Sequence, residues 1–187
     1  MTTINVHTSR TWYELHSPAQ CSWASELDEI PDYDADFVED DSIMPRGPIR
    51  WAIIAEFLTH GLDLLRRGSI DLRKPVATFE YDLSQLSTNE FRFARDWFRD
   101  GAVVDPWNSI ANGRHRMAWM WRYDPTLPLP IRSIAANGYP PPEGHPPADI
   151  EAVRAGLVAC APWLPDTELN RRYAAELRRE YEIVLPQ

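Results

Sequence analysis

Gly113-Arg114-His115-Arg116 places a glycine directly before three side chains able to carry positive charge. An extended, turn-punctuated stretch, 102–112, precedes it, and the helix-compatible apolar run Met117-Ala118-Trp119-Met120-Trp121 follows. Glycine tolerates the positive φ and the close backbone approach that a phosphate cradle needs. The N–H groups of Arg114, His115 and Arg116 would point out of a first helical turn, where the dipole favours an anion. Arg116 suits a bidentate grip on phosphate oxygens. His115 suits a hydrogen bond to phosphate or a proton transfer near neutral pH. Asn112 and Arg114 complete the expected cradle, and Ser109 joins it from upstream. Asp105, one strand away, could hold Mg²⁺ through one carboxylate, or simply start a turn before Pro106. The plainer alternative for the Arg/His residues is surface ion pairing with an acidic loop of the same chain.

The elements that must position this turn can be read from spacing. Pro48 suits the first turn of a helix running to about Arg67. Ile49, Ala52, Ile53, Phe57, Leu64 and Leu65 give it an apolar face, Gly61 weakens its middle, and Gly68 is a C-terminal stop. Val76 to Leu83 reads as a strand. Ser87 or Thr88 then caps a helix over 90–99, with Phe91, Ala94, Trp97 and Phe98 buried and Gly101 at its end. A helix is expected from about Arg114 to Tyr123, broken by Asp124-Pro125. Leu127 to Ile134 returns as a strand, placed at a sheet edge because it holds Pro128 and Pro130. Residues 137–147 form a proline-rich spacer. A helix over 149–160 follows, then one capped by Asp166 or Thr167 and ending near Val184.

Composition bounds the function. With 187 residues, 44% of them hydrophobic, the chain can bury a real core, and 17 Pro argue for many loops. The net charge of −9 is local. Glu26, Asp28, Glu29, Asp32, Asp34, Asp36, Glu39, Asp40 and Asp41 follow one another with no Lys or Arg between them. The 19 acids that remain of the 28 balance the 19 Lys plus Arg. Nucleic acid is therefore a less expected partner, since binding it needs a basic face. The acidic loop suits a basic protein partner instead. Cys21 and Cys160 lack metal or redox spacing and read as thiols in a reducing compartment. No apolar run spans a bilayer and the N-terminus lacks a signal-peptide pattern, so a cytoplasmic protein with no membrane partner is expected.

Other constellations are weaker. Asp32-x-Asp34-x-Asp36 copies half of an EF-hand loop, but Phe37 replaces its glycine and Ile43 its bidentate glutamate. His7, His16, His60 and His145 are scattered without ligand spacing. Trp119 and Trp121 read as core and rim, with base stacking as an alternative.

The run LSTNEFRFARDWFRDGAVVDPWNSIANGRHRMAWMWRYDPTLPLPIRSI resembles the core of the ParB/sulfiredoxin-like superfamily. That pattern is a strand, a helix ending in glycine, a strand with a proline, a DGxHR or GxxR turn opening a helix, and a strand beginning with proline. Here its parts are Leu83–Leu86, the helix ending at Gly101, Pro106, Asn112–Ala118 and Leu129-Pro130-Ile131. The likeness covers residues 76–136. It implies a nucleotide or other phosphate group at the Gly113 turn, in members that include nucleotide hydrolases, amino-acid kinases and nucleases. Kinase-like members place a functional glutamate after the first strand, which maps onto Glu90, although the spacing to Gly113 is shorter here. Glu90 also reads as a capping-box partner of Ser87. Asn112 replaces the usual acidic residue. The turn lacks the sulfiredoxin cysteine, and no DNA-reading helix-turn-helix follows Pro147, so neither of those activities is expected.

The expected fold is α/β: a small mixed sheet of ParB/sulfiredoxin-like type with helical additions at both ends. The expected divisions are 1–74 (helical, with the acidic loop), 75–136 (core), 137–148 (spacer) and 149–187 (helices). The expected function is nucleotide or phosphate binding, with a nucleoside triphosphate and Mg²⁺. If hydrolysis, phosphoryl transfer or nuclease chemistry follows, the backbone and Arg116 hold phosphates, and Arg114 or His115 offsets developing charge. Glu90 would position the nucleophile. The alternative is a non-catalytic acidic interaction protein of antitoxin, immunity or nucleic-acid-mimic type.

Overall fold

Alternating apolar residues set the strands. In the computed structural model, which describes residues 1–7, 12–18, 25–34, 47–70, 76–104, 110–133 and 164–181, strand β1 (Thr2–His7) buries Ile4 and Val6. It pairs antiparallel with β3 (Val76–Tyr81), which buries Ala77 and Phe79 on the same alternation. A second, four-stranded sheet runs β2 (Trp12–Leu15), β6 (Leu129–Ser133), β4 (Ala102–Val104) and β5 (Ile110–Asn112) in that spatial order. β6 is antiparallel to β2 and parallel to β4, while β4 and β5 are antiparallel, so the sheet is mixed. The helices are α1 (Ser25–Asp28), α2 (Trp51–Arg66), α3 (Thr88–Asp100), α4 (Arg114–Tyr123) and α5 (Glu168–Tyr181).

Expectation and structure part in several places. Trp51 rather than Pro48 opens α2, and Phe93 rather than Phe91 is buried on α3. The N-terminal region is not merely helical, because β1 and β2 each enter a sheet. The buried face of α2 is Ile54, Phe57, Leu58, Gly61, Leu62 and Leu65, so Ala52 and Ile53 lie off it. Gly61 is also more than a weak point: a Cβ there would stand 2.1 Å from Phe98 Cζ, so the missing side chain lets α2 and α3 touch. β6 differs too, being interior rather than at an edge. Pro130 is tolerated because its place in the register asks no N–H of it. The Glu14 N–H donates to Asn170 Oδ1 (3.0 Å) and its carbonyl accepts from Asn170 Nδ2 (3.1 Å), both from α5. Glu14 faces Pro130 across the ladder, so this pair exchanges no bonds and the absent proline N–H is not missed. On the other side the ladder to β4 starts one residue later, at Ile131.

The core is aromatic. Phe98 meets Trp12 (5.9 Å between centroids), Phe57 (5.4 Å) and Phe79 (5.3 Å), which joins both sheets to α2 and α3. The Trp97 indole donates to the Pro130 carbonyl (2.9 Å), so α3 is pinned to β6 as well as packed on it. Such paired, buried indoles combine apolar area with a satisfied donor.

Candidate functional site

Two surfaces on α4 merit description, the turn that opens it and the cleft beside its second half. At the turn, Gly113 is the N-cap residue in the left-handed region, φ 82°, and supplies no side-chain cap to the helix. A Cβ at this position would lie 2.7 Å from Ala102 Cα, so the turn presses directly on β4. A register shift between Val103 and Val104 places an extra residue on β5 just before it. The helix then runs from Arg114 to Tyr123, with the boundaries expected from the sequence.

The expected cradle divides. Asn112 and Arg114 are exposed, and His115 is half-buried with its ring 5.5 Å from Trp119. Arg116 does not reach outward. Its guanidinium donates to the Asp96 carbonyl (2.7 Å) and the Gly101 carbonyl (3.3 Å), and lies 5.9 Å from the Trp97 ring. Burial pushes this guanidinium below its usual range, with Asp96 and Asp100 opposing the shift. Arg132 and Asn112 both donate to the Asp100 carbonyl, at 2.8 and 3.2 Å. Three side chains thus satisfy the carbonyls that end α3, where the helix dipole is negative. The bidentate phosphate grip expected of Arg116 is replaced by this internal role. Nor do the turn's arginines meet the acidic loop in the contacts described; Arg122 does.

Glu90 is likewise committed. Its carboxylate is 1% exposed and closes a capping box with Ser87: the Ser87 N–H donates to Oε2 (2.8 Å) and the Glu90 N–H to Ser87 Oγ (3.3 Å). Arg50 donates to it from the backbone (2.8 Å), from Nε (2.9 Å) and from a terminal nitrogen (2.7 Å). The Arg50 guanidinium and the Ser87 and Arg50 amides hold the carboxyl down to about 2, against the cost of burial. A carboxylate so weakly basic and so fully engaged is a poor general base near neutral pH. The catalytic role expected of Glu90 therefore gives way to a structural one.

Asp105 and Ser109 lie outside the described residues, as do Pro106, Cys21, Cys160, Asp36, Glu39, Asp40, Asp41, the 137–148 spacer and the helix expected over 149–160. Among the described residues no group of three or more His, Cys, Asp or Glu could hold a metal ion.

The second surface is a cleft that no sequence motif marks. Asp32, Tyr33, Trp51, Trp119, Arg122 and Tyr123 line a space of about 240 Å³. The Tyr33 ring stands edge-on to Trp51 (5.2 Å, 89°) and to Trp119 (5.0 Å, 77°), and Phe93 backs Trp51 (5.5 Å). Hydrogen bonds fix the walls: the Trp119 indole donates to the Pro31 carbonyl (2.9 Å) and the Tyr33 hydroxyl to the Gly47 carbonyl (2.5 Å). Burial, and then the Asp34 carboxylate, raise the Tyr33 phenol above its usual range. Arg122 holds the acidic segment in place through the carbonyls of Leu27 (3.2 Å), Ile30 and Pro31 (2.8 Å), and pairs with Asp32 (3.3 Å). The only sequence signal for this assembly is the i, i+3, i+4 spacing of Trp119, Arg122 and Tyr123, which is common on any helix.

No family model, no curated protein and no solved structure matches the chain. No helix among the described residues is long and apolar enough to cross a membrane.

Proposed function

We propose that the protein binds a phosphate-bearing small molecule of the nucleotide class at the first turn of α4. The observation that carries this reading is the left-handed Gly113 cap, which brings no capping side chain to a ten-residue helix. First-turn N–H groups left uncapped by a side chain suit an anion, and the helix dipole adds to that preference. Exposed Arg114 supplies a cation beside them. Arg116 serves the same site from inside, anchoring the turn to the end of α3 and so fixing the direction of its amides. The likeness of the Asn112–Ala118 turn to the ParB/sulfiredoxin-like pattern supports nucleotide as the ligand class.

The reading is one of binding. Hydrolysis, phosphoryl transfer and nuclease chemistry all need a base or a metal, and the Glu90 carboxylate is engaged elsewhere. The test is calorimetric titration with inorganic triphosphate and with nucleoside triphosphates, with and without Mg²⁺. Binding is expected in the wild type and should weaken roughly tenfold in Arg114→Ala, the value of one charge-assisted contact. The melting temperature of that variant should not change. Absence of binding to the wild type, or equal affinity in the variant, would overturn the reading.

A further inference from the structure

We propose that the cleft between Tyr33, Trp51, Trp119 and Tyr123 receives one arginine side chain from a basic segment of another protein. The nucleotide reading uses none of these residues, so the two proposals stand or fall separately. Size comes first. About 240 Å³ lies below the roughly 300–1,000 Å³ typical of sites for drug-sized molecules. A space of that size suits one inserted side chain.

Charge decides what kind of side chain. The segment that forms one wall carries exposed Asp28, Glu29, Asp32 and Asp34, and Asp32 is 94% exposed. One cation, Arg122, lies in the lining itself, and the four carboxylates of the facing segment outnumber it. Arg122 is held by three carbonyls and by Asp32. Arg50, next to Trp51, is bound to Glu90 and to the Gln85 carbonyl. The His115 ring lies 5.5 Å from that of Trp119. The site is therefore aromatic walls beside a segment whose charge, with Arg122 counted, stays negative. A cation within about 6 Å of such rings is attracted by their quadrupoles, and Asp32, whose Oδ1 pairs with Arg122, offers its second oxygen at the mouth. Guanidinium is preferred to ammonium, because it is planar, weakly hydrated and stacks on aromatic rings. A phosphate or carboxylate would be repelled by the same segment.

The experiment uses the full chain and a blocked peptide with one arginine among glycine and serine. Peptides with citrulline or lysine in its place are the controls. The indole N–H resonances of Trp51 and Trp119 report occupancy in ¹⁵N-labelled protein. The arginine peptide should shift both, the lysine peptide less, and the citrulline peptide not at all. Tyr123→Ala is the variant of choice because Tyr123 is 47% exposed and can be removed without opening the core. It and Asp32→Asn should each weaken arginine-peptide binding about three- to tenfold, with melting temperatures unchanged. Equal binding of the citrulline peptide, or undiminished affinity in both variants, would overturn the proposal. So would a nucleoside that shifts these indoles more strongly than the arginine peptide does.

Discussion

One helix carries both candidate surfaces, and they are built in different ways. The Gly113 turn is made of backbone: its geometry comes from a left-handed glycine pressed on Ala102 and from Arg116 turned inward. The Tyr33–Trp119 cleft is made of side chains that meet only after folding, from residues 32–33, 51 and 119–123. The first offers amide hydrogens and favours an anion. The second offers ring faces beside a negative segment and favours a cation. Two charge preferences on one short helix are compatible because each is set locally. An amide turn acts over one helical turn, and solvent screens the exposed carboxylates beyond about 8–10 Å.

The comparison is broken most severely at the glycine. Gly113→Ala must hold a left-handed φ and push a methyl against Ala102, and should cost about 3 kcal/mol in chemical denaturation. Anion binding should fall with it, while the arginine peptide still shifts the cleft indoles. If both ligands are lost together, the two surfaces are one unit.

Next in size is Arg116→Met, which leaves the Asp96 and Gly101 carbonyls without their donor and should cost about 2 kcal/mol. Such a loss, against an unchanged melting temperature for Arg114→Ala, would separate the inner arginine from the outer one. Glu90→Gln should be similar in size near neutral pH, roughly 2 kcal/mol. The sign of its pH dependence follows from a carboxyl held at about 2 in the fold against an ordinary 4.5. Its stabilisation is present above pH 4.5 and is lost as pH falls from there towards 2. Denaturation curves of wild type and Glu90→Gln should therefore converge at low pH, with little change in binding at either surface. A Glu90→Gln protein that is stable at pH 7 yet loses nucleotide binding would return Glu90 to the site. The smallest effect is expected for Tyr123→Ala, no measurable change in stability or anion affinity and a three- to tenfold loss at the cleft.

Local signals explain what could be read in advance. Ser87 and Glu90 stand three apart before an apolar run, and the capping box they form is the one their spacing implies. Gly113 and Asp124-Pro125 bracket α4, and its ends fall where those residues put them. Val76 to Tyr81 alternates and is a strand. What the sequence concealed depends on partners distant along the chain. Pro130 can sit inside a sheet because it faces Glu14 in a pair that exchanges no hydrogen bonds and stands one residue before the β4 ladder, a register set by strands distant in the chain. Arg116 was expected outside, as cations usually are, and lies inside because α3 ends on carbonyls that need donors. The cleft depends on Arg122 drawing the acidic segment against α4, a contact between residues about 90 apart in the chain. No spacing rule encodes such a meeting.

The central claim, an anion site made by the first turn of α4, is tested most directly by following backbone amides. In ¹⁵N-labelled protein titrated with a nucleoside triphosphate at low salt, the amides of Arg114, His115 and Arg116 should move together along one binding curve. The Trp51 and Trp119 indoles should move little. Unmoved turn amides at saturating ligand, or a response confined to the indoles, would contradict it.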